Sequence, residues 1–263
     1  MRSEIKSVAG FSVPALGLGT WKLRGNKCEN TVRKAINMGY RHIDTAIFYD
    51  NEEAVGQAIS DYDREEVFVT TKVWKDKLHY RDFKHSAEAS LKRLDTDYVD
   101  LLLVHWPNPD IPTSETVKAM NELVEEGKAR HIGVSNFSRS QLEEAKNLSD
   151  HPIVNNQVKY HLGMDLGPLL NYCRKNDVLL TAYSPLGRGK VLEREEVKEL
   201  ARKYGKSPGQ VALKWLIEQE NVVAIPKAGS VSHLRENIQL FDWDLNEEDR
   251  ETLNRLVIKT QIN

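Results

Sequence analysis

The chain has 263 residues, of which 40% are hydrophobic and 29% charged, and its formal net charge is -2. That is the balance of an ordinary globular protein, and a near-neutral charge speaks against a general nucleic-acid coat. No run approaches the ~18 apolar residues from which a membrane helix is read, and the two cysteines, Cys28 and Cys173, form no C-x-x-C pair, so neither a disulfide framework nor a structural zinc site is expected.

The opening Met1-Arg2-Ser3-Glu4-Ile5-Lys6 has no apolar stretch behind it of the kind a signal peptide carries, so a cytoplasmic protein is expected. Next, Ile5-Lys6-Ser7-Val8-Ala9-Gly10-Phe11-Ser12-Val13 reads as a short hairpin turning at Ala9-Gly10. From there short apolar runs alternate with longer helical patterns. Runs at 15–19, 42–44, 67–72 and 99–105 read as strands, followed by 131–134, 154–157, 178–183 and 222–225. They are rich in Val, Ile and Leu, as strands buried on both faces should be. Helical spacing predicts helices over 30–38, 51–59, 81–94, 115–125, 138–148, 166–175, 195–204 and 208–218, and a last one over 246–258. Ser138-x-x-Gln141 reads as a capping box, and Ser207-Pro208-Gly209-Gln210 adds proline at a first helical position. Gly39 and Gly127 sit where left-handed caps are wanted, and Asp244-x-x-Glu247 offers a cap for the last helix.

Eight strand–helix units predict an α/β fold: a single closed (β/α)8 barrel over residues 1–263, with the hairpin across its floor. The competing architecture is an open doubly wound sheet, which would gather functional residues near one crossover. The barrel is preferred because polar residues recur at the C-terminal ends of several runs.

Asp44 ends the second run, Lys72 the third and His105 the fourth, and Tyr49 lies on the loop just after the second. In a barrel such positions meet around one pocket. A free tyrosine hydroxyl, with a pKa near ~10, is a poor acid at neutral pH. A neighbouring ammonium should lower that value. Lys72 is placed to supply the ammonium, Asp44 to hold it as an ion pair, and His105 to donate a hydrogen bond to a carbonyl. Together they make a proton-delivery group for a developing alkoxide. Each has a plainer reading: Tyr49 as packing, Lys72 as a solvated strand end, Asp44 as a turn cap, His105 as a satisfied core histidine. The combination favours the functional one, because a charged Lys72 closing Val-Phe-Val-Thr-Thr needs a negative partner. Trp21, Phe48, Trp74 and Trp106 lie beyond strand ends and read, with His105, as the wall of a substrate pocket rather than as rim packing.

Other signals weigh less. His79 and His85 lack a third ligand, so no metal site is expected. Gly17-x-Gly19 has no third glycine, and Gly187-x-Gly189-Lys190 is too short for a phosphate-binding loop.

Larger pieces surround these residues: Gly17-Leu18-Gly19-Thr20-Trp21, Asp44-Thr45-Ala46 with Tyr49-Asp50-Asn51-Glu52, and Thr71-Lys72-Val73-Trp74. Leu102-Leu103-Val104-His105-Trp106-Pro107 and Ile132-Gly133-Val134-Ser135-Asn136-Phe137 follow, then Asn156-Gln157, Ala182-Tyr183-Ser184-Pro185-Leu186 and Ile225-Pro226-Lys227. In this order and spacing the chain resembles the aldo-keto reductase family over roughly residues 5–258. The resemblance implies NADPH-dependent reduction of aldehydes and ketones on a (β/α)8 barrel, with Asp44, Tyr49, Lys72 and His105 as catalytic tetrad and Tyr49 as general acid. It assigns Ser135, Asn136 and Gln157 to the nicotinamide carboxamide and Tyr183 to stacking on the ring. Ser184, Leu186 and the following Gly187-Arg188-Gly189 match a loop near the pyrophosphate. Lys227, Ser230, His233, Glu236 and Asn237 match the 2'-phosphate and adenine region. Gly19, Thr20, Trp21 and Asp44 are further cofactor contacts by the same resemblance.

The chain departs from the family pattern in two places. After Ile225-Pro226-Lys227, Ala228 stands where many members have serine, and His233 where many have an arginine. A neutral imidazole offers less charge and no bidentate fork, so NADPH should be held mainly by Lys227, with NADH as a weaker or alternative cofactor. The chain also ends at Asn263, soon after its last helix, so a shallow, open pocket is expected, accepting small aldehydes, dicarbonyls and aromatic carbonyls. The alternatives are a regulatory, non-catalytic barrel, which the full tetrad opposes, and an alcohol or steroid dehydrogenase working in the oxidative direction. A barrel closes its own sheet, so a monomer is expected, with a small carbonyl compound as its partner.

Overall fold

The computed structural model describes residues 4–8 and 10–259. The hairpin forms from β1 (Ile5–Val8) and β2 (Phe11–Pro14), antiparallel, with Val8 opposite Phe11. Of its expected turn residues, Ala9 lies outside the described residues, and Gly10 has φ 79°, a left-handed conformation that glycine adopts at no steric cost.

Eight parallel strands follow in sequence order: β3 (Leu18–Gly19), β4 (His42–Asp44), β5 (Phe68–Val73), β6 (Val99–Val104), β7 (Ala129–Ser135), β8 (Ile153–Lys159), β9 (Leu179–Tyr183) and β10 (Val222–Ile225). No reversal interrupts the order, which removes the open doubly wound alternative. The sheet closes on itself along a short seam. Gly17 N–H donates to the Ala224 carbonyl at 2.9 Å, Ala224 N–H to Ala15 at 2.9 Å, and Gly19 N–H to Pro226 at 3.2 Å. The approach is tight: a Cβ on Gly19 would lie 2.7 Å from the Ile225 carbonyl oxygen. Only glycine lets the two chain segments meet there.

Helices surround the barrel: α1 (Gly25–Asn37), α2 (Glu52–Ile59), α3 (Tyr80–Leu94), α4 (Thr113–Glu125), α5 (Arg139–Leu148), α6 (Gly167–Lys175), α7 (Glu195–Tyr204), α8 (Pro208–Ile217), α9 (Val231–Ile238) and α10 (Glu247–Lys259). Both expected capping boxes form, Ser138 with Gln141 and Ser207 with Gln210. The cap expected from Asp244 does not. Helix α10 starts at Glu247, and Asn246 Oδ1 accepts from Asp249 N–H at 2.8 Å. The Asp244 carboxylate is drawn instead to the buried Lys214 ammonium at 2.9 Å. Helix α1 begins at Gly25 rather than at 30, and α9 stands in a stretch where no helix was expected.

One apolar layer fills the space between barrel and helices. A second lies inside the barrel, where Phe11 and Val13 of the hairpin meet Leu101, Leu103, Leu179 and Val223. The barrel floor is therefore packed side chains, and its open face is at the C-terminal ends of the strands. Just above the floor stands His42, 1% exposed, its Nε2 paired with Thr70 Oγ1 at 3.1 Å. Burial, with help from the Lys72 charge, lowers its pKa from 6.5 to about 3. The folded state thus refuses a proton that the unfolded chain accepts below its own pKa, so this contribution is intact above that value and lost as the pH falls towards the folded one. At pH 5 the loss amounts to about 2 kcal/mol. Denaturant midpoints at pH 7 and pH 5 check it: a His42→Asn variant should lose about 2 kcal/mol less than the wild type between the two, and equal losses would refute the assignment.

Candidate active site

The strands deliver one polar residue after another to the open face. Asp44 ends β4, Lys72 stands one residue from the end of β5, His105 follows β6, Ser135 ends β7, Gln157 lies in β8 and Tyr183 ends β9. The chain then turns through a 3-10 segment, Ile47–Tyr49, that brings Tyr49 over β4. A cavity of about 260 Å³ opens here, lined by Asp44, Tyr49, His105, Ser135, Asn136, Gln157 and Tyr183. Gly19, Trp21, Phe48, Trp74, Trp106, Ser184, Arg188 and Lys227 complete the expected part of its wall.

Lys72 lies beneath this wall, wholly buried. Its ammonium donates to Asp44 Oδ1 at 2.6 Å, to the Thr45 carbonyl at 2.8 Å and to the Tyr49 hydroxyl at 3.3 Å. Three acceptors match its three N–H bonds. Burial opposes the charge, but Asp44 and Tyr49 more than offset it and hold the Lys72 pKa above its ordinary value. The second Asp44 oxygen accepts from Gln157 Nε2 at 2.7 Å. Burial pushes the Tyr49 hydroxyl up; the Lys72 charge pulls it down, and the Asp44 charge pushes it up again. The expectation that Lys72 lowers the Tyr49 value is thereby corrected: the pull exists, and burial outweighs it. Tyr49 stays protonated at neutral pH.

His105 is held neutral, its pKa lowered from 6.5 to about 3 by burial and by the Lys72 charge. Its Nδ1 is buried and has no hydrogen-bond partner among the described residues. A bare lone pair is tolerated there better than an orphaned N–H, which assigns the proton to Nε2. The ring stands edge-on to Tyr49 (5.6 Å) and Trp74 (5.0 Å).

Beside this group Ser135, Asn136 and Tyr183 have already spent their side-chain donors. Ser135 Oγ donates to the Gln157 carbonyl at 2.7 Å, and Asn136 Nδ2 donates to the His105 carbonyl and to Ser135 Oγ, each at 3.0 Å. Tyr183 donates its hydroxyl to Asn136 Oδ1 at 2.9 Å. What remains open is acceptor capacity on Asn136 Oδ1 and Gln157 Oε1 and one N–H of Gln157, a set that suits the NH2 and the oxygen of a primary carboxamide. Further out, Arg188 and Lys227 line the cavity without a protein hydrogen bond or ion pair among the described residues. Two free cations suit phosphate groups. Asn237, 4% exposed, has an amide with no protein partner among the same residues. A nicotinamide dinucleotide phosphate therefore fits what these side chains leave open.

An aromatic slab forms the opposite wall. Trp21, Phe48 and Trp74 stack nearly parallel, Phe48 lying 5.9 Å from Trp21 and 4.1 Å from Trp74. Trp21, Phe48 and Trp106 are each more than two-fifths exposed, which is costly for large apolar rings unless a ligand covers them. The rim is also strained. Of the seven non-glycine residues with positive φ among the described residues, Asn136, Ser184 and Arg188 line this cavity and Lys22 and Asp50 each follow a lining residue, and such strain clusters at functional sites.

Not every expected residue reaches the cavity. Thr20 is buried and donates to the Asp44 carbonyl at 3.0 Å, bracing it from behind. Leu186 packs on the core. Ser230 caps α9 by accepting from His233 N–H at 3.3 Å, and the Glu236 carboxylate takes a short hydrogen bond from Ser207. His233 is exposed on α9. Two residues were missed. Ile225 lines the cavity, yet an apolar residue ending a strand looks like core. Asn51 is buried and ties the loop of Trp21 down, donating to the Thr20 and Leu23 carbonyls at 3.0 and 2.9 Å while accepting from Thr45 at 2.6 Å. Its signal was available: an asparagine two residues from the proposed acid.

The model of the family described as "Aldo/keto reductase family" matches residues 15–258. Glyoxal reductase of Bacillus subtilis is 40% identical over 260 residues, covering 97% of this chain and 93% of that protein. Among solved structures, a thermostable aldo-keto reductase in complex with the inhibitor epalrestat is 46% identical with a TM-score of 0.92, covering 96% of this chain and 99% of that one. An aldo-keto reductase of Bombyx mori in complex with NADP is 33% identical with a TM-score of 0.89, covering 97% of this chain and 93% of that one. With a match that runs from the first barrel strand into the last helix, the chain belongs to the aldo/keto reductase family.

Proposed function

We propose that the protein reduces small aldehydes, ketones and dicarbonyls to alcohols with NADPH, Tyr49 acting as general acid. The observation that carries this reading is the Lys72 ammonium joined to Asp44 at 2.6 Å and to the Tyr49 hydroxyl at 3.3 Å under an open cavity. When bound, NADPH supplies the hydride that adds to the carbonyl carbon. Tyr49 gives its proton to the carbonyl oxygen as negative charge grows there. The phenolate left behind is stabilised by Lys72, whose charge Asp44 balances. His105, neutral, offers Nε2–H to the same oxygen and fixes the direction from which the carbonyl enters. Arg188 and Lys227 hold phosphate, and Asn136 and Gln157 hold the carboxamide. The aromatic slab excludes water and accepts flat or apolar carbonyl compounds. A small-dicarbonyl preference is supported by the cavity of about 260 Å³ and by the likeness to a glyoxal reductase.

Lys227 is the free cation next to α9, and His233 adds no fixed charge, so NADH remains a weaker alternative. The same reading makes the protein a single-domain monomer of the cytoplasm; its two cysteines are buried and unpaired, which suits a reducing compartment.

Replacing Tyr49 by phenylalanine should lower kcat by about 10²- to 10⁴-fold while NADPH affinity, measured by calorimetry, stays close to wild type. Substantial turnover in that variant would remove Tyr49 from the acid role. Lys227→Ala should weaken NADPH by about tenfold or more and leave NADH nearly unaffected, and equal losses for both would exclude a 2'-phosphate contact. His233→Arg should raise the NADPH-to-NADH affinity ratio, and an unchanged ratio would count against a role for position 233.

A further inference from the structure

Helix α9 has eight residues, too few to be stable alone in water. Its carbonyls towards the C-terminal end cannot all be satisfied within the helix. Side chains from distant elements add to what the backbone supplies, the Glu236 carbonyl also accepting from Gln239 N–H at 3.2 Å. Gln210, in the first turn of α8 and 6% exposed, donates its amide to the Glu236 carbonyl at 3.0 Å and to the Gln239 carbonyl at 3.1 Å. Tyr40, buried between α1 and β4, donates its hydroxyl to the Leu234 carbonyl at 3.0 Å. Ser207, the cap of α8, adds a short hydrogen bond to the Glu236 carboxylate.

Gln210 thus faces two ways. Its Oε1 accepts from Ser207 N–H at 2.9 Å, closing the capping box of α8. Its Nε2 donates to two carbonyls of the neighbouring segment. The N-terminus of one helix is in this way the clamp on the end of another. The clamped helix carries Asn237, whose amide has no protein partner among the described residues and keeps some exposure, and its start lies just beyond the free cation Lys227.

We propose that Gln210 and Tyr40 are positioning residues for the cofactor's adenosine half: they fix α9, and through it cofactor affinity, without touching the cofactor or the reacting atoms. The inference rests on the reading that NADPH lies with its adenosine end at α9. It goes beyond that reading by assigning affinity to two buried residues outside every cofactor motif. The clamp acts by preorganisation. With it, the helix is already ordered when the ligand arrives; without it, part of the binding free energy goes into ordering α9.

Two variants test this. Gln210→Glu keeps an acceptor oxygen to close the capping box but replaces the amide donor by a second acceptor facing two carbonyls. Tyr40→Phe deletes one hydroxyl and leaves the ring. Calorimetry with NADPH should give a Kd raised about three- to tenfold in each. Reduced nicotinamide mononucleotide, which lacks the adenosine half, should bind each variant as it binds the wild type, and kcat at saturating NADPH should stay within about twofold. Amide exchange in α9 should quicken while exchange in β5 does not. NADPH affinity unchanged in both variants, or equal weakening of the mononucleotide, would overturn the proposal. Should Gln210→Glu fail to fold, Tyr40→Phe decides alone. The reading beneath it is tested apart: a wild type that binds NADPH no better than the mononucleotide would remove the adenosine site itself, whereas tight wild-type binding matched by the variants would remove only the clamp.

Discussion

A wholly buried ammonium is the constraint around which this molecule is arranged. Stripping water from Lys72 costs several kcal/mol, and the cost is tolerable only with a nearby carboxylate and a full set of acceptors. Asp44 supplies the carboxylate, Thr45 a backbone carbonyl and Tyr49 a hydroxyl. Asp44 in turn needs a partner for its second oxygen and takes the Gln157 amide from the far side of the barrel. One charge thus ties β4, β5, β8 and the loop after β4 to a common point. Loss of any partner leaves a buried polar atom unmatched, so the group holds its geometry as a unit. Burial keeps His105 and His42 uncharged, and the same ammonium reinforces it, since a second cation in that space would be repelled.

Much of this could be read in the sequence. The barrel was legible because strands buried on both faces leave uninterrupted apolar runs, and eight of them alternated with helical patterns. The polar cluster around Lys72 was legible because Asp44, Lys72 and His105 are polar residues closing such runs, where burial would otherwise be costly. Ile225 was invisible for the complementary reason: an apolar residue at a strand end carries no mark that it lines a cavity. Helix α9 escaped because its order comes from Tyr40 and Gln210, far away in the chain, rather than from its own short pattern. The start of α1 escaped because residues 25–27 are exposed and carry no apolar period.

The sign of the Tyr49 shift illustrates a different limit. A sequence can show that a cation and a phenol are neighbours. It cannot show how much water has been removed from both. Here burial is the larger effect, and the Asp44 charge that retains Lys72 also works against it at Tyr49. Which of three opposed contributions wins is decided by depth, and depth is a property of the closed barrel.

The chain has five tryptophans, and Trp21, Trp74 and Trp106 stand on the wall of one cavity. The other two, Trp215 and Trp243, lie among the helices that carry and follow α8 and α9. Three of the five indoles therefore stand where anything filling that cavity would touch them. A molecule entering there alters the surroundings of most of the indoles at once, so the enzyme carries its own optical gauge of occupancy.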